Sequence, residues 1–424
     1  MTERTVALVG GMLIDGQGKA PIENSAILIR GTTIEKVGQK DNIKLPQGCE
    51  VIDVTGKTVM PGMMDIHVHL SMGHLDTPPV GGFMSLPPYL SRPLPWFGIM
   101  SFAYARLALG MGFTTLRDVG DLEGGGGGYT SVALRDAIND GIVEGPRILA
   151  SGPFLTTTGG HSDYLPLWLI RTDVKPLVVD GVDECLKAVR QQVKMKTDWI
   201  KILATGGIMD SEDKQEFNDD ELRVIMDEVH SKGKLVCAHA MHPEGILAAV
   251  KAGVDTVEHG TFLTQEIIEL MLKNGTYLVP TLYAPWAMVN QGKKFGLAEA
   301  YIESCRVNIF EPHIKSFRMA YDAGVKIAMG TDCGFPSCVH GTNALELELM
   351  TKYSDMSPME AIVVTTRNSA AALRLEEKLG TIEKGKLADI IVVNSNPLED
   401  IQILQDKEKI LLVMKEGKIY IKSF

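Results

Sequence analysis

VMPGMMDIHVHL, residues 59–70, is an apolar run that ends in two imidazoles. Read as a strand, its second part, MMDIHVHL (63–70), places His67 and His69 two positions apart, so their side chains point the same way. Such a pair at a strand end is a natural chelator for Zn²⁺ or a similar ion. Two strand histidines can also be core or rim residues, so the surrounding sequence has to decide. Seven further apolar runs follow: FTTLRDVG (113–120), RILASG (147–152), WIKILATGG (199–207), KLVCAHA (234–240), TVEHG (256–260), TYLVPTL (276–282) and KIAMGTD (326–332). Helical stretches lie between them. Asn218 with Glu221, and Ser357 with Pro358 and Glu360, are helix-start signals, and a helix from Thr264 stops at Gly275. Eight strand-then-helix units predict an α/β protein with a closed (β/α)8 TIM-like barrel. An open doubly wound sheet has similar spacing, but no Gly-x-Gly-x-x-Gly turn supports it.

The two ends of the chain have a different character. TVALVGGMLIDG, SAILIRGTTIEKVG and CEVIDVTGKTVMPG at the start, and GKLADIIVVN and KILLVMKEGKIYIK at the end, are short β runs separated by Gly turns. They predict one small β-sandwich built from both termini. The expected boundaries are 1–60 and 376–424 for that domain, and 61–375 for the barrel. Residues 71–99, rich in Pro and Gly with Tyr89, Trp96 and Phe97, read as a long loop, either a substrate lid or an ordered insertion. The Gly run at 124–128 lacks the Lys-Ser/Thr of a phosphate loop and reads as a turn.

Composition narrows the function. No apolar run reaches the roughly 18 residues of a membrane span, and the N-terminus reads as a strand without a signal-peptide cleavage site. Six scattered cysteines without CxxC pairs suit a reduced, cytoplasmic protein. A net charge of −11 argues against nucleic acid as a partner. The expected partner is a small molecule, acted on by a homo-oligomer.

The chemistry gathers at strand ends. His239 ends the fifth strand, His259 the sixth and Asp332 the eighth. With His67 and His69 they make four imidazoles and a carboxylate at the C-terminal ends of strands, where barrel enzymes place their chemistry. Lys201 lies inside the apolar fourth strand, where an unpaired ammonium is costly. It either points outward between helices with its tip at the surface, or reacts with CO₂ to become an anionic oxygen ligand that bridges two cations. The histidine and aspartate set favours the bridge.

VMPGMMDIHVHL, TTLRDVG, TGGHSD, WIKILATGG, CAHA, VEHG and GTD together resemble the amidohydrolase superfamily. The likeness is closest to its Xaa-Pro dipeptidase and imidazolonepropionase-related members, and it extends over essentially the whole chain, including GTIEKGKLADIIVVN. The resemblance implies two divalent cations, zinc favoured. His67, His69 and Asp332 would hold one, His239 and His259 the other, and a carboxylated Lys201 would be shared. Mononuclear imidazolonepropionases and deaminases lack that lysine. The implied reaction is cleavage of the amide bond of a dipeptide, an N-acyl amino acid or a related small amide by a metal-bridging hydroxide. Asp332 would accept the proton and pass it to the leaving amine, and His161 would stabilise the oxyanion. Aryl amide, carbamate or urea hydrolysis is the alternative, with esterase or lactonase chemistry on the same metals. A non-catalytic scaffold would tolerate loss of metal ligands, and all six are present.

Dipeptide-cleaving relatives often have Tyr two residues after the fifth-strand histidine. Here that position is Met241, followed by His242. Met241, His242, Tyr283 and His340 are the candidate substrate contacts, the last three also readable as packing or loop residues. His74, Asp163 and Arg92 are weaker candidates of the same kind. His230 and His313 read as helix-surface or packing residues.

Overall fold

The computed structural model describes residues 4–72, 92–121, 128–163, 177–208, 214–335 and 337–424. His74, Tyr89, most of the 71–99 segment and Gly124–Gly127 lie outside them. The chain divides into two compact units. One comprises Met1–Asp65, Arg106–Thr115 and Gly341–Phe424; the other comprises Ile66–Ala105 and Leu116–His340.

The first unit contains strands from both chain ends. A four-stranded sheet orders Thr33–Gln39, Ser25–Arg30, Thr5–Val9 and Glu50–Asp53. A five-stranded sheet orders Lys418–Lys422, Ile410–Lys415, Ile390–Val393, Thr58–Pro61 and Met12–Leu13. Leu8, Ile27 and Ile29 of the first sheet share one buried cluster with Val59, Ile390, Val392 and Leu412 of the second. Alternate positions, such as Ile27 and Ile29 or Ile390 and Val392, enter this cluster, as the period of a strand requires.

The second unit is built on six parallel strands in the order Leu177–Val178, Leu155–Thr156, Trp199–Leu203, Leu235–Ala240, Thr256–His259 and Tyr277–Val279. Lys201 pairs in register with Cys237, and Ala240 with His259. A separate three-stranded sheet orders Met63–Val68, Phe113–Asp118 and Arg147–Ala150. Long buried runs are expected of parallel strands covered on both faces, and every residue of Trp199–Leu203, Leu235–Ala240 and Thr256–His259 is buried. The helix signals are realised as written. Asn218 and Ser357 form capping boxes with Glu221 and Glu360, Thr264 caps its helix, and Gly275 ends it in a left-handed conformation.

Two readings need correction. KIAMGTD is not a regular strand. Ile327 bridges Leu278 and Cys333 bridges Val68, with hydrogen bonds from the Ile66 amide to the Met329 carbonyl and from the Asp332 amide to the His67 carbonyl. Gly330 packs so closely on Val279 and His67 that a Cβ has no room, and Asp332 has φ +63°. The backbone bends there instead of extending. The end of the 71–99 segment, from Leu94, is not loop but the start of a helix, Leu94–Gly110, that includes Trp96 and Phe97. Pro95 sits in its first turn, where no intrahelical N–H is missed. Among the described residues no helix is long and apolar enough to cross a membrane.

Candidate metal centre

Six of the expected ligands and His161 lie in the second unit, and the fold brings them to one cluster. Single nitrogens of His67 and His259 and an oxygen of Asp332 lie within 4.8 Å of one another and could hold a metal ion. Asp332 Oδ1 is 3.4 Å from His67 Nε2 and 3.3 Å from His69 Nε2. The His239 and His259 rings are 4.6 Å apart, and the His161 ring stacks on His239 at 4.3 Å. Lys201 is 2% exposed, and the charges of Glu258 and Asp332 act on it.

Each histidine has its outer nitrogen tied down. Nδ1 of His67 meets Glu258 Oε2 at 2.6 Å, and Nδ1 of His69 meets the Gly120 carbonyl at 3.0 Å. The Thr281 hydroxyl donates to the Pro280 carbonyl, so its oxygen accepts Nδ1–H of His259 at 2.7 Å. His239 instead directs Nε2 at the Gly206 carbonyl, 3.3 Å away. These acceptors fix the tautomers: Nε2 of His67, His69 and His259, and Nδ1 of His239, keep their lone pairs. Metal-binding histidines are held in this way, so the donor set suits a metal.

The electrostatics agree. Burial holds His239 and His259 well below the ordinary imidazole range, with neighbouring histidines adding to it, so both are neutral. Burial opposes ionisation of Asp332, but the close contact and charge of His67 and His69 outweigh it and keep the carboxyl well below its usual range. Burial pushes the Lys201 amine down, towards its neutral form, against the pull of Cys237, Glu258 and Asp332. Glu258 is also buried, yet Arg117 and His67 hold it ionised.

The loops that carry these groups are anchored too. His161 donates its amide to Glu216 Oε1 at 2.6 Å, and its carbonyl accepts from Thr156 Oγ1 at 2.9 Å. Asp163 accepts the Gly159 amide in the same loop. His313, read from sequence as a surface or packing residue, is buried in the helix Glu311–Asp322. Its Nε2 donates to the Pro280 carbonyl at 2.6 Å, and Nδ1 accepts from Thr261 at 3.2 Å, so it steadies the segments after both Val279 and His259. Burial pushes its pKa down to about 4, against the Pro280 hydrogen bond. Because the folded value lies below the ordinary 6.5, the unfolded chain takes up a proton first as pH falls. Stability contributed by neutral His313 is therefore complete above pH 6.5 and is lost between 6.5 and about 4, by up to about 3 kcal/mol. Chelator-treated protein should melt progressively lower over that window. His313→Gln should flatten the dependence, and an unchanged slope in that variant would count against this assignment.

The candidate substrate contacts are less uniform. Met241 is buried, its amide donating to Thr205 Oγ1 and its carbonyl accepting from Phe262. His242 stacks on Phe262 at 5.5 Å. The Tyr283 hydroxyl accepts the Val339 amide at 3.4 Å. His340 stacks on Tyr104 at 4.3 Å, and its Nε2 donates to the His69 carbonyl at 3.0 Å, so it braces the His-x-His backbone. Arg92 lies over the Trp96 ring, and the exposed His230 pairs with Asp255. Glu258, Arg117, Thr281 and Glu216 were not singled out from sequence. A Glu and an Arg inside the apolar runs TVEHG and FTTLRDVG were the available signal, since buried charges need partners.

Residues 58–420 match the amidohydrolase family. The chain belongs to that family. It is a hydrolase of carbon–nitrogen bonds, and its family is metal-dependent. Ochratoxinase from Aspergillus niger is 30% identical over 453 residues, covering 98% of this chain and 87% of the relative. The crystal structure of a Xaa-Pro dipeptidase with methionine bound in its active site superposes with a TM-score of 0.87 at 35% identity, covering 98% of this chain and all (100%) of the other. A prolidase complexed with N-methylphosphonate-L-proline gives 0.86 at 30% identity, covering 99% and 100%.

Proposed function

We propose that this amidohydrolase uses two divalent cations, zinc favoured, to cleave the amide bond of a dipeptide, an N-acyl amino acid or a related small amide. The observation that carries this reading is the convergence of four imidazoles with anchored outer nitrogens on Asp332 and the buried Lys201. His67, His69 and Asp332 would hold one cation, and His239 and His259 the other. In the neutral form towards which burial pushes it, the Lys201 amine can add to CO₂. An N–C bond would form as the nitrogen loses a proton, and the resulting carbamate would supply Lys201 as an anionic oxygen ligand shared by the cations. The strand order and the bridges at Ile327 and Cys333 support a closed (β/α)8 barrel over 61–375, and the shared core of the two terminal sheets supports a β-sandwich from 1–60 and 376–424.

Two cations there would make water a nucleophile near neutral pH and polarise the substrate carbonyl. Asp332, ionised and in contact with His67 and His69, accepts the proton and delivers it to the leaving nitrogen. His161 donates to the oxygen as it becomes negative. The dipeptidase, prolidase and ochratoxinase relatives support an amide as the scissile group.

Met241 favours a second substrate reading. Its thioether cannot donate a hydrogen bond to a carboxylate, so a blocked or aryl amide, carbamate or urea should compete well with a free dipeptide. His242, Tyr283 and His340 are the other residues proposed to meet substrate. A panel of Xaa-Pro and Xaa-Arg dipeptides, N-acyl amino acids, aryl amides and matched esters, assayed with bound metal quantified, tests both readings. Met241→Tyr should shift kcat/KM towards free carboxylates by about 1–2 kcal/mol, within the span from a neutral to a charge-assisted hydrogen bond. Efficient wild-type cleavage of Xaa-Pro dipeptides with rejection of their amides would overturn the reading of Met241.

A further inference from the structure

We propose that Glu258 and Arg117 are a positioning pair that dictates which nitrogen of His67 faces the metal; this rests on the reading of His67 as a ligand. Glu258 is fully buried, and three donors converge on its carboxylate. His67 Nδ1 reaches Oε2 at 2.6 Å, while Arg117 Nη2 at 2.8 Å and the Thr256 hydroxyl reach Oε1. Arg117 is buried as well. It also donates to Thr256 Oγ1 at 3.1 Å and to the Ile66 carbonyl, and its guanidinium lies 4.4 Å from the centre of the Trp199 ring. A guanidinium anchored at so many points commits Oε1, and leaves Oε2 for His67. An ionised carboxylate has no proton to give. Nδ1 must therefore carry the hydrogen, and the Nε2 lone pair is presented on the side of Asp332, 3.4 Å away. A buried ion pair roughly breaks even against apolar packing, so fold stability alone gives little reason to keep one behind a metal ligand. Fixing a ligand's tautomer and ring plane gives one.

Glu258→Gln keeps the shape and replaces one acceptor by a donor. With Arg117 and Thr256 donating from one side, the amide oxygen turns to them and its NH₂ faces Nδ1. His67 must then carry its proton on Nε2, where the metal should be. Competition for Zn²⁺ against a chromogenic chelator, with zinc counted per chain, should show binding weakened by about 10–100-fold. The metal-free variant should still melt cooperatively. Adding Arg117→Met lets the amide turn its oxygen back to His67, since the Thr256 hydroxyl can rotate to accept from NH₂. The double variant should thus bind Zn²⁺ more tightly than Glu258→Gln alone, which loss of a merely structural contact would not produce. Should Glu258→Gln fail to fold, Glu258→Asp withdraws the carboxylate from Nδ1 by one methylene and should weaken Zn²⁺ binding by about tenfold or more. Wild-type affinity in whichever of these single variants folds, or a double variant weaker than Glu258→Gln, overturns the proposal. His67→Ala separates the two levels. If it loses zinc while Glu258→Gln does not, only the positioning role fails. If it keeps wild-type zinc, the metal reading fails and takes this inference with it.

Discussion

Lys201→Ala is expected to remove bound metal and activity together. The wild-type chain should carry about two divalent cations, and the variant one or fewer. Loss of a residue that merely orients a ligand costs about 10–100-fold in affinity or activity, so loss of a shared ligand should exceed the upper end of that range in kcat/KM. The physical ground is the site of the amine. It is 2% exposed in an all-buried strand, and burial drives it towards the neutral, CO₂-reactive form. Its neighbours Glu258 and Asp332 would repel a bare carbamate, and only cations make that arrangement favourable. Isotopically labelled bicarbonate should give a carbamate resonance in wild type that is absent from the variant. Short carboxylic acids should restore part of both metal and activity by occupying the vacated bridge. Fully active protein with about one metal and an unmodified Lys201 would overturn the two-metal reading.

The positions of His67 and His69 were legible because a strand has a period of two. His239, His259 and Asp332 were legible because each closes an apolar run. Glu258 was hidden by the same rule that exposed the others. Strict alternation would send Glu258 and His259 to opposite faces of their strand. In the fold both reach His67, Glu258 by a 2.6 Å hydrogen bond and His259 at 5.0 Å between ring centres. The reason is a left-handed backbone at His259, with φ +70°, repeated at Thr281 and Asp332. Non-glycine residues rarely adopt that conformation, and clusters of it mark functional sites, but no residue type in TVEHG or KIAMGTD announces it. The bent segment before Asp332 escaped for a similar reason. Gly330 reads in sequence as one more strand residue, while in space it is where the chain presses against His67. Helix-start signals were legible because a capping box is satisfied within four residues, without reference to the rest of the fold.

His161→Asn should leave metal content unchanged and lower kcat by about 10²–10³-fold, the usual cost of removing one oxyanion donor. The loop geometry makes this a sharp test. The backbone of His161 is held at both ends of its peptide, by Glu216 and by Thr156, so substitution of the side chain need not move the loop. The ring itself is wedged between His239, on which it stacks at 4.3 Å and 29°, and Gly207, where a Cβ would overlap it. It therefore sits beside His239, a proposed ligand of the second cation, while its main chain is tied to Glu216 and Thr156. An asparagine is too short to fill the place the ring takes between His239 and Gly207. If His161 donates only as charge develops on the substrate oxygen, KM should change little and the loss should fall on kcat. A loss of zinc in His161→Asn would instead make it a ligand. Wild-type kcat on the best substrate of the panel would remove it from the mechanism. A rise in KM alone would mean that it holds substrate in the ground state and gains nothing as the oxyanion forms.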